Sequence, residues 1–131
     1  MASRIAAINA YRPRIELGKT IQKAEQVRRL ARASNLNEGS MDMVIKELRD
    51  HIITENLAGR PVKIEGLGTW TPSIGLDGSF DVQYRADTGL ANGLNNPGAF
   101  TGDIKSRENI GKTPEELVAM WNKDHPDDLV S

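Results

Sequence analysis

The feature that most constrains the fold is a glycine-rich reversal, Gly-Leu-Gly at residues 66–68, which is followed closely by Trp70. Glycine adopts positive φ angles without steric cost, so two glycines in three residues favour a tight change of chain direction. Val62 and Ile64 alternate with polar residues before the reversal, and this period of two is typical of β-strands. The segment therefore predicts a strand, a tight turn and a second antiparallel strand.

A third strand is predicted after a second turn. Asp77-Gly78 is a strong hairpin signal, and apolar residues alternate with polar ones over residues 80–84. Pro72 lies in the preceding strand and has no N–H to donate to a neighbouring strand. We therefore expect Pro72 to mark a sheet edge or a bulge.

Two helices are predicted before these strands, over residues 19–34 and 38–57, because apolar residues recur there at helical spacing. Asn37 is a suitable N-cap for the second helix, since its side-chain oxygen can accept an early backbone N–H. Gly59 fits the left-handed position just past the end of that helix, and Pro61 prevents its resumption.

The two ends of the chain carry less periodic pattern. Residues 1–16 are predicted to be irregular, with a short strand over Arg4–Ala10, because the residue before Pro13 is disfavoured in a helix. Residues 86–112 show one helical turn around Leu90 and Leu94. A last helix is predicted to begin at Thr113, with Pro114 at its first position and Glu116 completing a capping box, and to end near Asp124.

Composition and short motifs exclude several classes of function. The chain has no cysteine, which excludes disulfides and zinc–thiolate sites, and no apolar run that predicts a secretory signal or a membrane span. Both Gly-Lys-Thr triplets lack the earlier glycine of a phosphate-binding loop, since Pro13 and Ser106 stand at that position, and both are interpreted as helix starts. His51 is expected near the core and His125 in a solvated tail. We expect a cytoplasmic, non-enzymatic protein without cofactor, metal or membrane contact.

Charge is distributed unevenly along the chain. Residues 1–63 hold 12 Lys and Arg against 7 Asp and Glu, whereas residues 64–131 hold 5 against 11, which together give the net charge of −1. A basic first half favours a local electropositive surface. The best candidates for contacting phosphates are the cations on the first predicted helix: Lys19, Lys23, Arg28, Arg29 and Arg32. The alternative is an ordinary solvated helix face, partly paired with Glu25.

Two helices followed by this turn resemble the HU-type histone-like proteins and integration host factor, whose turn reads G-x-x-V-x-L-x-G-F-G-T-F. The resemblance covers about residues 19–85 and is carried by Gly59, Val62, Ile64, Gly66, Leu67, Gly68, Thr69 and Trp70. It implies an α+β, HU-like fold with two N-terminal helices, an antiparallel sheet with a short arm hairpin, and a C-terminal helix. The corresponding domain division is an extension of residues 1–18 and a single domain of residues 19–131, with a divergent part from residue 86 onward.

The resemblance further implies an intertwined homodimer that binds double-stranded DNA without strong sequence preference and belongs to the bacterial nucleoid. That family bends DNA with an arm-tip proline, and Pro97 within Asn95–Gly102 is the candidate wedge here. The chain departs from the family because its hairpin turns early, at an acidic tip around Asp77, and lacks a basic arm. The alternative is an HU-like fold that has lost DNA binding and acts as a protein-interaction or assembly module. The residues expected to contact DNA are Arg12, Arg14, Lys19, Lys23, Arg28, Arg29, Arg32, Lys63 and Arg85.

Overall fold

The computed structural model describes residues 1–130, which divide into two compact units. The central unit is Thr20–Phe100, and the terminal unit combines Met1–Lys19 with the chain from Thr101 onward. The predicted division at residue 18 differs from this grouping, because the chain from Thr101 onward packs with the N-terminal segment. Both units mix helices with antiparallel strands.

Two helices open the central unit, α2 (Lys23–Ser34) and α3 (Glu38–Leu57). Asn37 caps α3 as predicted, since its side chain accepts the N–H of Ser40 at 2.7 Å. The buried residues at the contact between the helices are few: Val27, Ala31 and Met41, with Ile45 packed against them. α2 begins later than predicted, at Lys23 with Gln22 as N-cap. The Gly-Lys-Thr triplet at residues 18–20 therefore does not start this helix.

A three-stranded antiparallel sheet follows, with strand order β2 (Val62–Ile64), β3 (Gly68–Ile74) and β4 (Phe80–Ala86). The strands and both turns match the sequence prediction, and Gly66 and Gly78 have φ angles of 86° and 85°. β2 pairs only with residues 68–70 of β3, so the part of β3 that contains Pro72 is paired with β4 and not with β2. Pro72 is therefore at a local edge, and the register through it is continuous without a bulge.

The central unit ends with α4 (Thr88–Asn95), where one helical turn was expected. Asp87 caps this helix by accepting the N–H of Gly89 at 2.9 Å. The chain then reverses at Pro97-Gly98, where Ala99 N–H donates to the carbonyl of Asn96 at 3.0 Å and Gly98 has a φ of 76°. Proline followed by a positive-φ glycine is the usual sequence of a type II turn, so local turn geometry accounts for Pro97.

The terminal unit contains α1 (Arg4–Tyr11), β1 (Arg14–Glu16), β5 (Asp103–Lys105), a 3-10 turn (Arg107–Asn109) and α5 (Pro114–Asp124). The predicted strand over Arg4–Ala10 is wrong, since these residues are helical. Ser3 caps the helix by accepting the N–H of Ala6 at 3.0 Å, and Pro13 lies beyond its end, where it ends the helix without disrupting it. Three helices therefore precede the sheet formed by β2, β3 and β4.

Contacts between segments far apart in sequence hold the terminal unit together. Ala7 of α1 and Leu117 of α5 are buried, and an ion pair joins Arg4 to Glu115 at 2.9 Å. The Tyr11 hydroxyl donates to Asp124, and this hydrogen bond raises the pKa of Tyr11 above its ordinary value. Thr113 caps α5 as predicted, accepting the N–H of Glu116 at 3.2 Å.

Asn109 is the most deeply buried polar side chain in the described chain. Its side-chain nitrogen donates to the backbone carbonyl of Tyr11 at 2.6 Å, and its oxygen has no hydrogen-bond partner among residues 1–130. The hydrogen bond from Asn109 to Tyr11 therefore holds the end of α1 against the 3-10 turn, 98 positions later in the chain.

We expect Asn109→Ala to lower the free energy of unfolding of the terminal unit by about 1–3 kcal/mol, because the Tyr11 carbonyl loses a buried donor. Urea denaturation followed by Trp121 fluorescence, in a Trp70→Phe background, measures this unit separately. Asn9→Ala, on the exposed side of α1, is the matched control and should change little. Equal stability of the two variants would contradict this role of Asn109.

Candidate nucleic-acid interface

The register of the three-stranded sheet sorts its side chains onto two chemically different faces. Val62, Trp70 and Tyr84 are directly opposite one another across the strands, and Lys63, Thr69 and Arg85 form the adjacent row. Successive side chains along a strand point to opposite faces of the sheet. Lys63, Thr69 and Arg85 therefore share one face, which we call the polar face.

The other face is apolar and is directed toward α3. Ile53 and Leu57 of α3 line an open groove of about 370 Å³ together with Pro72, Phe80 and Val82 of this face. Asn56 of α3 also donates to the backbone carbonyl of Trp70 at 3.3 Å. The polar face consequently points away from the helix.

Aromatic contacts fix the glycine-rich turn relative to the sheet. The rings of Trp70 and Tyr84 are neighbours on the apolar face, with centroids 5.0 Å apart. The Tyr84 hydroxyl donates to the carbonyl of Leu67 at 2.7 Å, which ties the turn to β4. These contacts hold the strand ends that carry Lys63 and Arg85.

The polar face changes in charge along its length. Lys63 and Arg85 lie on either side of Thr69, and neither forms an ion pair with any other residue within 1–130. The next rows of this face carry neutral hydrogen-bonding groups and one carboxylate near the hairpin tip: Thr71 with Gln83, and Ser73 with Asp81. Cations and hydroxyls next to one another are the groups that proteins use to hold phosphate oxygens.

The cations of α2 divide into paired and unpaired groups. Lys23 forms an ion pair with Asp42 at 2.7 Å, and Arg29 forms one with Glu25. Hydrogen bonds from Lys23 and Lys46 lower the pKa of Asp42, which keeps this carboxylate charged and the two lysines engaged. Arg28 and Arg32 are exposed and have no acidic partner among the described residues.

The nine predicted contact residues do not form one set. Arg12, Arg14 and Lys19 belong to the terminal unit, and the other six belong to the central unit. Only Lys63 and Arg85 are brought together by strand register, although they are 22 positions apart. Sequence reasoning missed the polar groups between and beyond them, namely Thr69, Thr71, Ser73 and Gln83. In the sequence these polar residues alternate with Trp70 and Tyr84, and this alternation could have predicted that they share the opposite face of the sheet.

Neither histidine lies where the sequence predicted. His51 is exposed on α3 and does not lie near the core. His125 is half-buried: its ring stacks on Trp121, with centroids 3.8 Å apart, and the Trp121 indole N–H donates to the carbonyl of Asp128 at 2.7 Å. Aromatic stacking thus explains His125 as a structural residue at the end of α5.

Residues 1–130 contain neither a metal-binding cluster nor a membrane-spanning helix. No group of three or more His, Cys, Asp or Glu side chains there is placed to hold a metal ion. Over the same residues, the helices are too short or too polar to cross a membrane.

Comparisons with known proteins give likenesses to solved structures and no sequence match. No protein-family model matches the sequence, and no curated protein matches it. Among solved structures, an HU mutant from Thermotoga maritima is similar to this chain, with 14% sequence identity and a TM-score of 0.48. The likeness covers 55% of this chain and 96% of the HU chain.

Proposed function

We propose that this chain is a sequence-tolerant, double-stranded-DNA-binding protein of the bacterial nucleoid (HU-like) type that acts as a homodimer. The observation that carries the proposal is the row of Lys63, Thr69 and Arg85 on the polar face, where two unpaired cations flank a hydroxyl. Lysine, arginine and hydroxyl groups position DNA through its phosphates without reading the bases. The polar face offers these groups, and its position away from α3 leaves it accessible.

The exposed arginines of α2 extend the proposed contact. Arg28 and Arg32 are free to neutralise phosphates, whereas Lys23 and Arg29 already have carboxylate partners. We therefore assign Lys63, Arg85, Arg28 and Arg32 as the principal DNA contacts of the central unit. Arg12, Arg14 and Lys19 remain proposed contacts of the terminal unit.

The homodimer is supported by the apolar groove between α3 and the sheet. Leu57 and Phe80 in this groove are 83% and 81% exposed, next to Ile53, Pro72 and Val82. Soluble monomers rarely leave a large contiguous apolar patch uncovered. The central unit also has a small core of its own, so a second copy over the groove supplies burial that one copy lacks. Leu48 and Ile52, half-buried on α3, are proposed to lie in the shared core.

We expect the protein to be a dimer at micromolar concentration, and Phe80→Ser to shift it toward monomer by removing an apolar side chain from the interface. Sedimentation equilibrium of both proteins measures this shift. Leu76→Ser, at the fully exposed hairpin tip outside the groove, is the control and should remain dimeric. A stably folded wild-type monomer at this concentration would overturn the dimer proposal.

The DNA proposal is tested by titrating binding to random-sequence duplex with salt. If Lys63 and Arg85 of both copies neutralise about four phosphates, they should contribute about −3.6 to the slope of log affinity against log salt concentration, and Arg28 and Arg32 should make that slope steeper. Equal affinity for unrelated duplex sequences is expected, because the contacts are to the backbone. A dimer that binds no duplex at low salt would reject DNA binding.

The second candidate function is a protein-interaction or assembly module. It is favoured by the acidic end of the hairpin, where Asp77 and Asp81 stand and no Lys or Arg occurs between Lys63 and Arg85. Asp77 accepts hydrogen bonds from the backbone N–H and hydroxyl of Ser79, and these lower the pKa of Asp77. A persistent negative charge at the tip repels phosphates, so failure of the salt titration would promote this second function.

A further inference from the structure

The two-stranded ribbon of the terminal unit has an unusual charge arrangement. Arg14 of β1 is directly opposite Lys105 of β5, and Glu16 is directly opposite Asp103. Like charges in directly opposed positions destabilise an antiparallel pair. One diagonal ion pair, Lys105 to Glu16 at 3.7 Å, links the two ends of the ribbon. The ribbon therefore has a positive end and a negative end on the same face.

The outer edge of β1 is open. Within residues 1–130, β1 pairs with β5 alone, and its central residue, Ile15, is 56% exposed. Leu17, just beyond the strand, is 85% exposed. An unpaired strand edge presents backbone N–H and C=O groups to which another extended chain can bond.

The sequence of β1 fits a second copy of itself. If two copies of Arg14-Ile15-Glu16 align antiparallel about Ile15, each Arg14 lies opposite Glu16 of the other copy, and the two Ile15 residues meet. In the same register Leu17 lies opposite Pro13 of the second copy. Opposite charges and apolar side chains in directly opposed positions stabilise an antiparallel pair.

We propose that β1 is a self-association edge, at which β1 of a second copy adds antiparallel to form a four-stranded sheet with order β5-β1-β1-β5. The contact is isologous, so one two-fold axis closes it. Pro13 has no N–H and limits the ladder to the short strand, which makes the contact weak and suited to joining molecules already close together. This proposal does not depend on DNA binding or on the apolar groove of the central unit.

The test uses two charge reversals that are complementary to each other. Arg14→Glu gives β1 two acidic positions and Glu16→Arg gives it two basic ones, so each variant places like charges opposite each other in the self-pair. An equimolar mixture of the two places opposite charges at both positions. Each change replaces one like-charged pair with β5 by an oppositely charged pair. In Glu16→Arg this new pair with Asp103 offsets the lost ion pair between Lys105 and Glu16, so neither change should unfold the ribbon.

Sedimentation velocity over micromolar to millimolar concentrations measures the association, with circular dichroism as the folding check. We expect wild type and the equimolar mixture to form assemblies of higher mass than the dimer made through the central unit. Each variant alone should not exceed the mass of that dimer. Lys112→Glu and Glu108→Arg are controls with the same charge changes at exposed positions outside the ribbon, and both should behave as wild type.

Three outcomes would overturn the proposal: no extra association by wild type, unchanged association by the single variants, or no recovery in the mixture. The Phe80→Ser background separates this contact from the groove dimer. In that background the proposed β1 contact still converts monomer to dimer, and the charge reversals still abolish it.

Discussion

Gly68→Ala is expected to destabilise the central unit by about 3–5 kcal/mol, which combines overpacking with an unfavourable backbone conformation. A Cβ atom at Gly68 would lie 2.4 Å from the backbone carbonyl oxygen of Arg85 and 2.7 Å from the ring of Tyr84. The φ angle of Gly68 is +150°, which L side chains rarely adopt. Since the nearest atom is backbone, β3 and β4 must separate to admit the methyl group.

Urea denaturation followed by Trp70 fluorescence, in a Trp121→Phe background, measures this effect on the central unit. Gly66→Ala is an informative comparison, because Gly66 has a φ of +86° with open space where its Cβ would stand. It should cost about 1 kcal/mol, within the range for a single residue held in a sparsely populated backbone region. Gly93→Ala, inside α4 and also in open space, should be neutral or slightly stabilising.

The comparison distinguishes close packing from backbone freedom. If Gly68→Ala and Gly66→Ala cost the same, then contact with β4 is unimportant and positive φ alone explains both glycines. If Gly68→Ala is as stable as Gly93→Ala, the proposed close approach of β3 and β4 is wrong.

The double substitution Lys63→Gln with Arg85→Gln is expected to weaken duplex binding by about 100-fold or more at ~0.1 M salt. A dimer loses four cations, and each phosphate neutralised contributes about 0.9 to the salt slope. The slope should therefore become shallower by about 3.6 and keep the part that Arg28 and Arg32 contribute. Folding should be unaffected, because both side chains are exposed and neither takes part in an ion pair with another residue in 1–130.

A matched control removes the same number of charges elsewhere. Lys112→Gln with Lys123→Gln, both exposed in the terminal unit, should leave affinity and salt slope close to those of wild type. Arg28→Gln with Arg32→Gln tests α2 separately and should give an intermediate loss. Equal weakening by the control would show that net charge, and not the polar face, governs binding.

Local signals in the sequence were sufficient for much of the central unit. α3 begins and ends at the predicted residues because Asn37 and Gly59 act within a few positions of its ends. The hairpin at Asp77-Gly78 is likewise a local feature, since the turn forms among residues 75–79. Alternation over β3 and β4 also fixed which residues share a face, although sequence reasoning used it for the apolar residues alone.

Tertiary structure decided the terminal unit and the composition of the candidate site. The pairing of β1 with β5 joins residues about 90 positions apart, and neither three-residue strand carries enough pattern to predict the other. Charge alone could not separate Lys23 from Arg28 and Arg32, because Asp42, the carboxylate that pairs with Lys23, lies on α3 and becomes its neighbour only after the two helices have packed. The pair of Glu25 with Arg29 is different, since its two residues are four positions apart on α2. Lys63 and Arg85, like Lys23 and Asp42, came together only on folding: strand register, a property of the folded sheet, placed them on either side of Thr69.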